Sequence, residues 1–208
     1  MPLVAMPKEI EGMNKSEKFI VNKLKQLYMA EPETSYLYLE PKIKNLTPDF
    51  ILIDPIRGVI IIEVKAWSIE YIDTINQKEV LSSKGDHLEN PLYKARRYFN
   101  TLQGVFKAYD DLLDENNDLN IHLHSLIIFT ELKKEEAKTH NIEKFFDHYP
   151  ARVIYKEGFN KLSLDSLFNH EIKAIDSTLV DTLKVAIFPE IKIRQNKSKK
   201  DSFLEKNF

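Results

Sequence analysis

Two apolar runs separated by a short turn constrain this chain more than any other feature. Phe50 to Ile53 and Val59 to Val64 are each long enough for a strand, and Asp54-Pro55-Ile56-Arg57-Gly58 lies between them. Pro55 presets φ for the second turn position, and Gly58 allows a positive φ where the chain re-enters a strand. The pattern predicts a β-hairpin. Its second strand is almost wholly apolar, as in a strand covered on both faces.

The polar residues of the hairpin gather at its open end. Pro48-Asp49 stands at the start of the first strand, and thirteen residues later Glu63-Val64-Lys65 ends the second. Strand alternation places Glu63 and Lys65 on one face. Residues paired across an antiparallel ladder also share a face. Asp49 must therefore pair near Glu63 or Lys65, not Val64, which requires an odd-numbered loop around Pro55 to Arg57 or a bulge near Asp49.

Two carboxylates and a lysine at the end of a sheet suit phosphodiester hydrolysis. The hard oxygens of Asp49 and Glu63, with the backbone carbonyl of Val64, can hold Mg²⁺ (or Mn²⁺) and leave positions for water. Such an ion polarises the phosphate and lowers the pKa of water. Lys65 can orient or deprotonate that water, or offset charge developing on the phosphate. Glu-x-Lys at a strand end is also a common solvated pattern, so the combination carries the reading and neither fragment does alone. Asp54, within the turn, reads as a turn starter and not as a ligand.

The rest of the chain supplies the cover. Residues 1–12 contain prolines and no periodicity, and read as an arm. Asn14 can cap a helix with Glu17 three residues later, a capping box. Phe19, Ile20, Lys23, Leu24, Leu27 and Tyr28 then mark one face, and Glu31-Pro32-Glu33 ends it. Tyr36 to Ile43 alternates as a strand. Residues 68–90 are weakly patterned, a small hairpin and a loop. Pro91 opens a second helix, with Leu92, Ala95, Phe99, Leu102, Phe106 and Tyr109 as its core stripe. Asp110 to Asp118 is an acidic loop. Leu123 to Phe129 and Ala151 to Tyr155 read as strands, with helices around Phe145, Leu167 and Leu183. The domain spans 13–188. Residues 189–208 lose periodicity, gather Lys192, Arg194, Lys197, Lys199 and Lys200, and read as a basic tail or linker. This order of elements predicts an α/β fold, a mixed sheet flanked by helices.

Composition narrows the function. The chain has 208 residues, no cysteine and a net charge of −2. Thiolate metal sites and cysteine nucleophiles are excluded, and a reducing cytoplasm is expected. No signal peptide and no membrane span are expected, since Val59 to Ile62 is far below the roughly 20 residues a span requires. There is no Gly-x-Ser-x-Gly elbow and no phosphate-binding Gly-Lys-Ser/Thr loop. His122 and His124 alternate onto one strand face, where packed histidines are the expectation and a metal pair the alternative.

These motifs carry a resemblance. Thr47-Pro48-Asp49-Phe50 through Gly58, Glu63-Val64-Lys65-Ala66-Trp67 resembles the core of the PD-(D/E)xK nucleases, and within them the nuclease-related domain (NERD). Gly12 and Glu17 match the glycine-then-glutamate pattern of that family's first helix, and Asn90-Pro91 its Asn-Pro helix entry. The resemblance implies a restriction-endonuclease-like fold, Asp49 and Glu63 as metal ligands, Lys65 as catalytic lysine and Glu17 as an accessory carboxylate, although the capping box alone explains Glu17. The second helix departs from the pattern. Lys94 stands where the family often has glutamine, four residues before Tyr98. Both then share a helix face bordering the site, and a lysine there can bind phosphate but cannot accept a hydrogen bond. Arg96 and Arg97, off the core stripe, are further candidates for backbone contacts to nucleic acid, an ordinary solvated surface being the simpler account.

The implied activity is Mg²⁺-dependent hydrolysis of DNA phosphodiesters, with RNA an alternative substrate. Two rival readings use the same fold: a catalytically weak nucleic-acid-binding module, and an interaction domain attached to a helicase or repair machine.

Overall fold

The hairpin is the centre of the molecule. The computed structural model describes residues 3–6, 13–169 and 174–187. Its elements run β1 (Leu3–Met6), α1 (Lys15–Leu27), β2 (Ser35–Leu39), β3 (Phe50–Asp54), β4 (Gly58–Lys65), β5 (Ile72–Ile75), β6 (Glu79–Ser82), β7 (His87–Glu89), α2 (Pro91–Phe106), β8 (Leu123–Phe129), α3 (Lys134–Thr139), β9 (Ala151–Ile154), α4 (Lys156–Asn160), α5 (Leu164–Phe168) and α6 (Ser177–Ile187). A six-stranded sheet takes the order β1-β2-β3-β4-β8-β9. β2, β3 and β4 are antiparallel neighbours, and β1-β2, β4-β8 and β8-β9 are parallel. The α/β class with a mixed sheet and flanking helices is as expected. Among the described residues no helix is long and apolar enough to cross a membrane.

β4 shows why both faces need helices. Seven of its eight residues are buried. Ile60, Ile62 and Val64 face a core built with Ile20, Val21 and Leu24 of α1, with Tyr28 just after it, and with Phe159, Leu167 and Phe168. Val59 and Ile61 face the opposite core, with Tyr98, Phe99, Leu102 and Phe106 of α2 and Val180 and Leu183 of α6. Each such side chain removed from water contributes about 1.5–3 kcal/mol. The odd-numbered face of β4 is therefore the α2 face, and Glu63 and Lys65 lie on it.

Both helix starts follow the local chemistry. Asn14 and Glu17 form a full capping box on α1. Asn90 caps α2 by accepting from Leu92 N–H at 2.8 Å, with Pro91 in the first turn. At the turn Gly58 adopts φ +118°, and a Cβ there would lie 2.5 Å from the His122 carbonyl oxygen. No other residue type fits both demands.

Three expectations need correction. Leu3–Met6, inside the expected arm, forms an edge strand parallel to β2, with Leu3 buried against the α1 core. Four residues are too few for a period to show. Residues 68–90 hold a separate three-stranded antiparallel sheet, β5-β6-β7, instead of one hairpin and a loop. Phe145 lies in a short 3₁₀ turn, Glu143–Phe145, following α3. Gly12, the remainder of the arm and the basic tail lie outside the described residues.

Candidate active site

The hairpin register decides where Asp49 falls. Phe50 pairs with Ile62 and Asp54 with Gly58, across a three-residue loop of Pro55, Ile56 and Arg57. One further step of that register sets Asp49 opposite Glu63, on the face the odd-numbered loop requires. Asp49 leaves the ladder there: its Oδ2 accepts from Val64 N–H at 2.7 Å, between Glu63 and Lys65. The same register aligns Val64 with Pro48. Proline has no N–H, so it cannot donate to the Val64 carbonyl as a ladder partner would.

Glu63 is the centre of the cluster and is only 1 % exposed. Its Oε1 receives two ammonium groups, Lys65 Nζ at 2.6 Å and Lys94 Nζ at 2.7 Å. Its Oε2 is buried and has no hydrogen-bond partner. An ionised oxygen left bare in a buried position is costly, and such atoms call for an explanation. Burial, and then the charge of Glu63, push the Asp49 carboxyl up to about 6, although the Val64 N–H, Lys65 and Lys94 act in the other direction. Burial alone would weaken the Lys94 ammonium, but Glu63 outweighs it and holds that ammonium firmly charged.

Aromatic residues support both lysines. Lys65 Nζ lies 5.6 Å from the centre of the buried Trp67 ring, and Lys94 Nζ lies 5.5 Å from that of Tyr98. Both distances are in cation–π range. Tyr98 is itself buried, and its hydroxyl donates to the Thr47 carbonyl at 2.9 Å. It thus pins the chain just before Asp49. Burial raises its hydroxyl pKa to about 12, Glu63 adding to the effect, so it stays a donor.

The structure therefore gathers Asp49, Glu63, Lys65, Lys94 and Tyr98, and three other candidates are engaged with other partners. Both carboxylate oxygens of Glu17 are taken by Asn14, and α1 covers the sheet face opposite Glu63. Arg96 donates to the Tyr149 carbonyl, and Arg97 is ion-paired with Glu89. Tyr98, expected at a nucleic-acid surface, is a buried prop of the Asp49 loop. His124 Nε2 pairs with the Leu167 carbonyl at 3.0 Å, and burial lowers its pKa to about 4, as suits a packed neutral imidazole. What the sequence did not reveal is that Lys94 and Lys65 share one oxygen, since contact between α2 and β4 leaves no local signature.

A divalent cation fits these residues. Among the described residues no three histidine or carboxylate side chains converge on one point. Mg²⁺, however, is commonly held by one or two carboxylates, with water filling the remaining positions. The bare Glu63 Oε2, the second oxygen of Asp49 and the Val64 carbonyl supply that donor set, and two adjacent carboxylates, one buried and one half-buried, are the charge a dication relieves.

Residues 13–130 match the family model described as nuclease-related domain. Searches of curated proteins and of solved structures each returned no match.

Proposed function

The chain belongs to the nuclease-related domain family, and on that basis we propose that it is a Mg²⁺- or Mn²⁺-dependent nuclease that hydrolyses DNA phosphodiester bonds. A nuclease-related function follows from the family, and the cysteine-free composition suits work in a reducing cytoplasm. The observation that carries the finer reading is the juxtaposition of Asp49 with a buried Glu63 whose Oε2 is bare.

In this reading Asp49, Glu63 and the Val64 carbonyl hold the cation. When bound it supplies Lewis acidity toward the phosphate and makes water a better nucleophile. Lys65 sits beside Glu63, where its ammonium can orient the attacking water and offset charge building on the phosphate oxygens. Trp67 confines that ammonium, and Tyr98 holds the loop that presents Asp49. Such prepositioning matters because small displacements of reacting groups are expensive in rate.

The second reading, a catalytically weak nucleic-acid-binding module, is favoured by one observation, the ammonium of Lys94 on Glu63. The test is to incubate linear, circular and single-stranded DNA with the protein in Mg²⁺, in Mn²⁺ and in chelator, beside Asp49→Ala and Lys65→Ala. Metal-dependent cleavage lost in both variants, with the fold retained by circular dichroism, is expected. Lys65→Ala cleaving at the wild-type rate would rule out the assigned chemistry.

A further inference from the structure

Glu63 carries one more cation than a single carboxylate needs. Lys65 and Lys94 both rest on Oε1, at 2.6 and 2.7 Å, and Oε2 is bare. With Asp49 alongside, the resting cluster holds two carboxylates and two ammonium groups. A divalent cation on the same carboxylates would set four positive charges against two negative ones. Like charges that close, in a part-buried site, repel far more than they would in water. One ammonium must give way, or the cation binds poorly.

The two lysines are not equally free to leave. Lys65 projects from β4, the central strand, beside Trp67. Lys94 reaches in from α2, a different element, and its side chain is 26 % exposed against 19 % for Lys65. The same ammonium lies 5.5 Å from the centre of the Tyr98 ring, a contact that does not depend on the carboxylate. A lysine side chain is a mobile point charge with three donors and no fixed geometry.

We infer that Lys94 is a displaceable counter-ion of Glu63: it neutralises the buried carboxylate in the resting protein, leaves it when a divalent cation is taken up, and passes its ammonium to a phosphate of the nucleic acid. This rests on the metal-dependent reading above. Its consequence is linkage. Cation alone must displace Lys94 without compensation, whereas with nucleic acid present the freed ammonium finds a phosphate. Cation and nucleic acid then raise each other's affinity by the same factor.

Calorimetric titration with Ca²⁺ as the probe, with and without a short DNA duplex checked to remain intact, measures this directly. Wild type, Lys94→Gln, Lys94→Met and Glu63→Gln are compared, each after its thermal melt shows a folded protein. Without DNA, both Lys94 variants are expected to bind Ca²⁺ at least about 5-fold more tightly than wild type, and DNA is expected to raise wild-type Ca²⁺ affinity by at least about 5-fold. In the Lys94 variants the effect of DNA should fall below about 2-fold. Lys94 variants that bind Ca²⁺ no better than wild type, or that keep the full DNA effect, overturn the inference. If Glu63→Gln loses Ca²⁺ while the Lys94 variants match wild type, only this inference fails. If wild type and Glu63→Gln titrate alike, the metal site itself is refuted, and the counter-ion role with it.

Discussion

Asp54 and Glu63 are carboxylates at opposite ends of one hairpin, each only 1 % exposed, and they are furnished in opposite ways. Asp54 is saturated with donors. Its Oδ1 accepts from the Ile56 and Arg57 amides at 2.8 and 3.0 Å, and its Oδ2 from Tyr28 Oη at 2.7 Å and Arg57 Nη1 at 3.0 Å. Arg57 is tied in turn to Glu31. Glu63 has no backbone donor among the described residues; it holds two lysines on one oxygen and none on the other. A buried charge that serves the fold is given fixed partners on every side. A buried charge that serves chemistry keeps a coordination position open, and the surrounding core bears the cost.

That contrast can be broken at its structural end first. Asp54→Ala leaves Arg57 and Tyr28 facing a lost anion, and breaking a buried pair costs about 3–5 kcal/mol. A large fall in melting temperature is expected. Glu63→Gln should cost much less, because the bare Oε2 is already unfavourable where it lies and both lysine side chains, 19 and 26 % exposed, can turn to water. Equal losses from the two substitutions would erase the distinction.

The same end of the sheet holds His124, whose pKa falls to about 4 by burial. The depressed value means that the unfolded chain takes up this proton first as pH falls. The stability tied to neutral His124 is therefore whole above pH 6.5 and is lost between about 6.5 and 4, up to about 3 kcal/mol. Melting curves across that window should fall less steeply for His124→Gln than for wild type. Parallel pH profiles would show that His124 is not held neutral by the fold.

Asp49 gives an effect of the opposite sign. Its carboxyl is raised to about 6, so its ionisation opposes folding: the stability it contributes is present below about pH 3.8 and lost as pH rises through 6. Asp49→Asn, which still accepts from Val64 N–H, should stabilise the metal-free protein at pH 7.5 by about 1–3 kcal/mol. It should at the same time abolish metal-dependent cleavage. A melting temperature unchanged or lowered at pH 7.5 would mean that burial and the charge of Glu63 do not strain Asp49.

Much of this was legible in the sequence where the signal was local. The hairpin and the α2 stripe follow from turn chemistry and periodicity; an odd-numbered loop or a bulge was required to bring Asp49 to the face of Glu63, and the register shows the three-residue loop. The edge strand Leu3–Met6 was missed because its four residues are identified only by pairing with β2. The Asp54 network was half visible: the turn was expected, but Tyr28 lies 26 residues away and only folding brings its hydroxyl to Asp54. The place of Lys94 beside the site was expected from the resemblance, which puts a polar motif residue at that position; the shared oxygen of Glu63 depends on how α2 crosses β4, which no linear pattern encodes. Tyr98 carries the same lesson, since a motif position does not say whether a ring faces substrate or core.

The central claim is that Glu63 serves chemistry and not the fold, and the rate of DNA cleavage by Glu63→Gln tests it most directly. With end-labelled DNA in Mg²⁺, the wild-type protein should cleave and Glu63→Gln should be slower by at least about 100-fold, the scale of a lost electrostatic contribution at the reacting phosphate, while melting within a few degrees of wild type. A Glu63→Gln protein that cleaves at the wild-type rate, or a wild-type rate unchanged by chelator, would contradict the account.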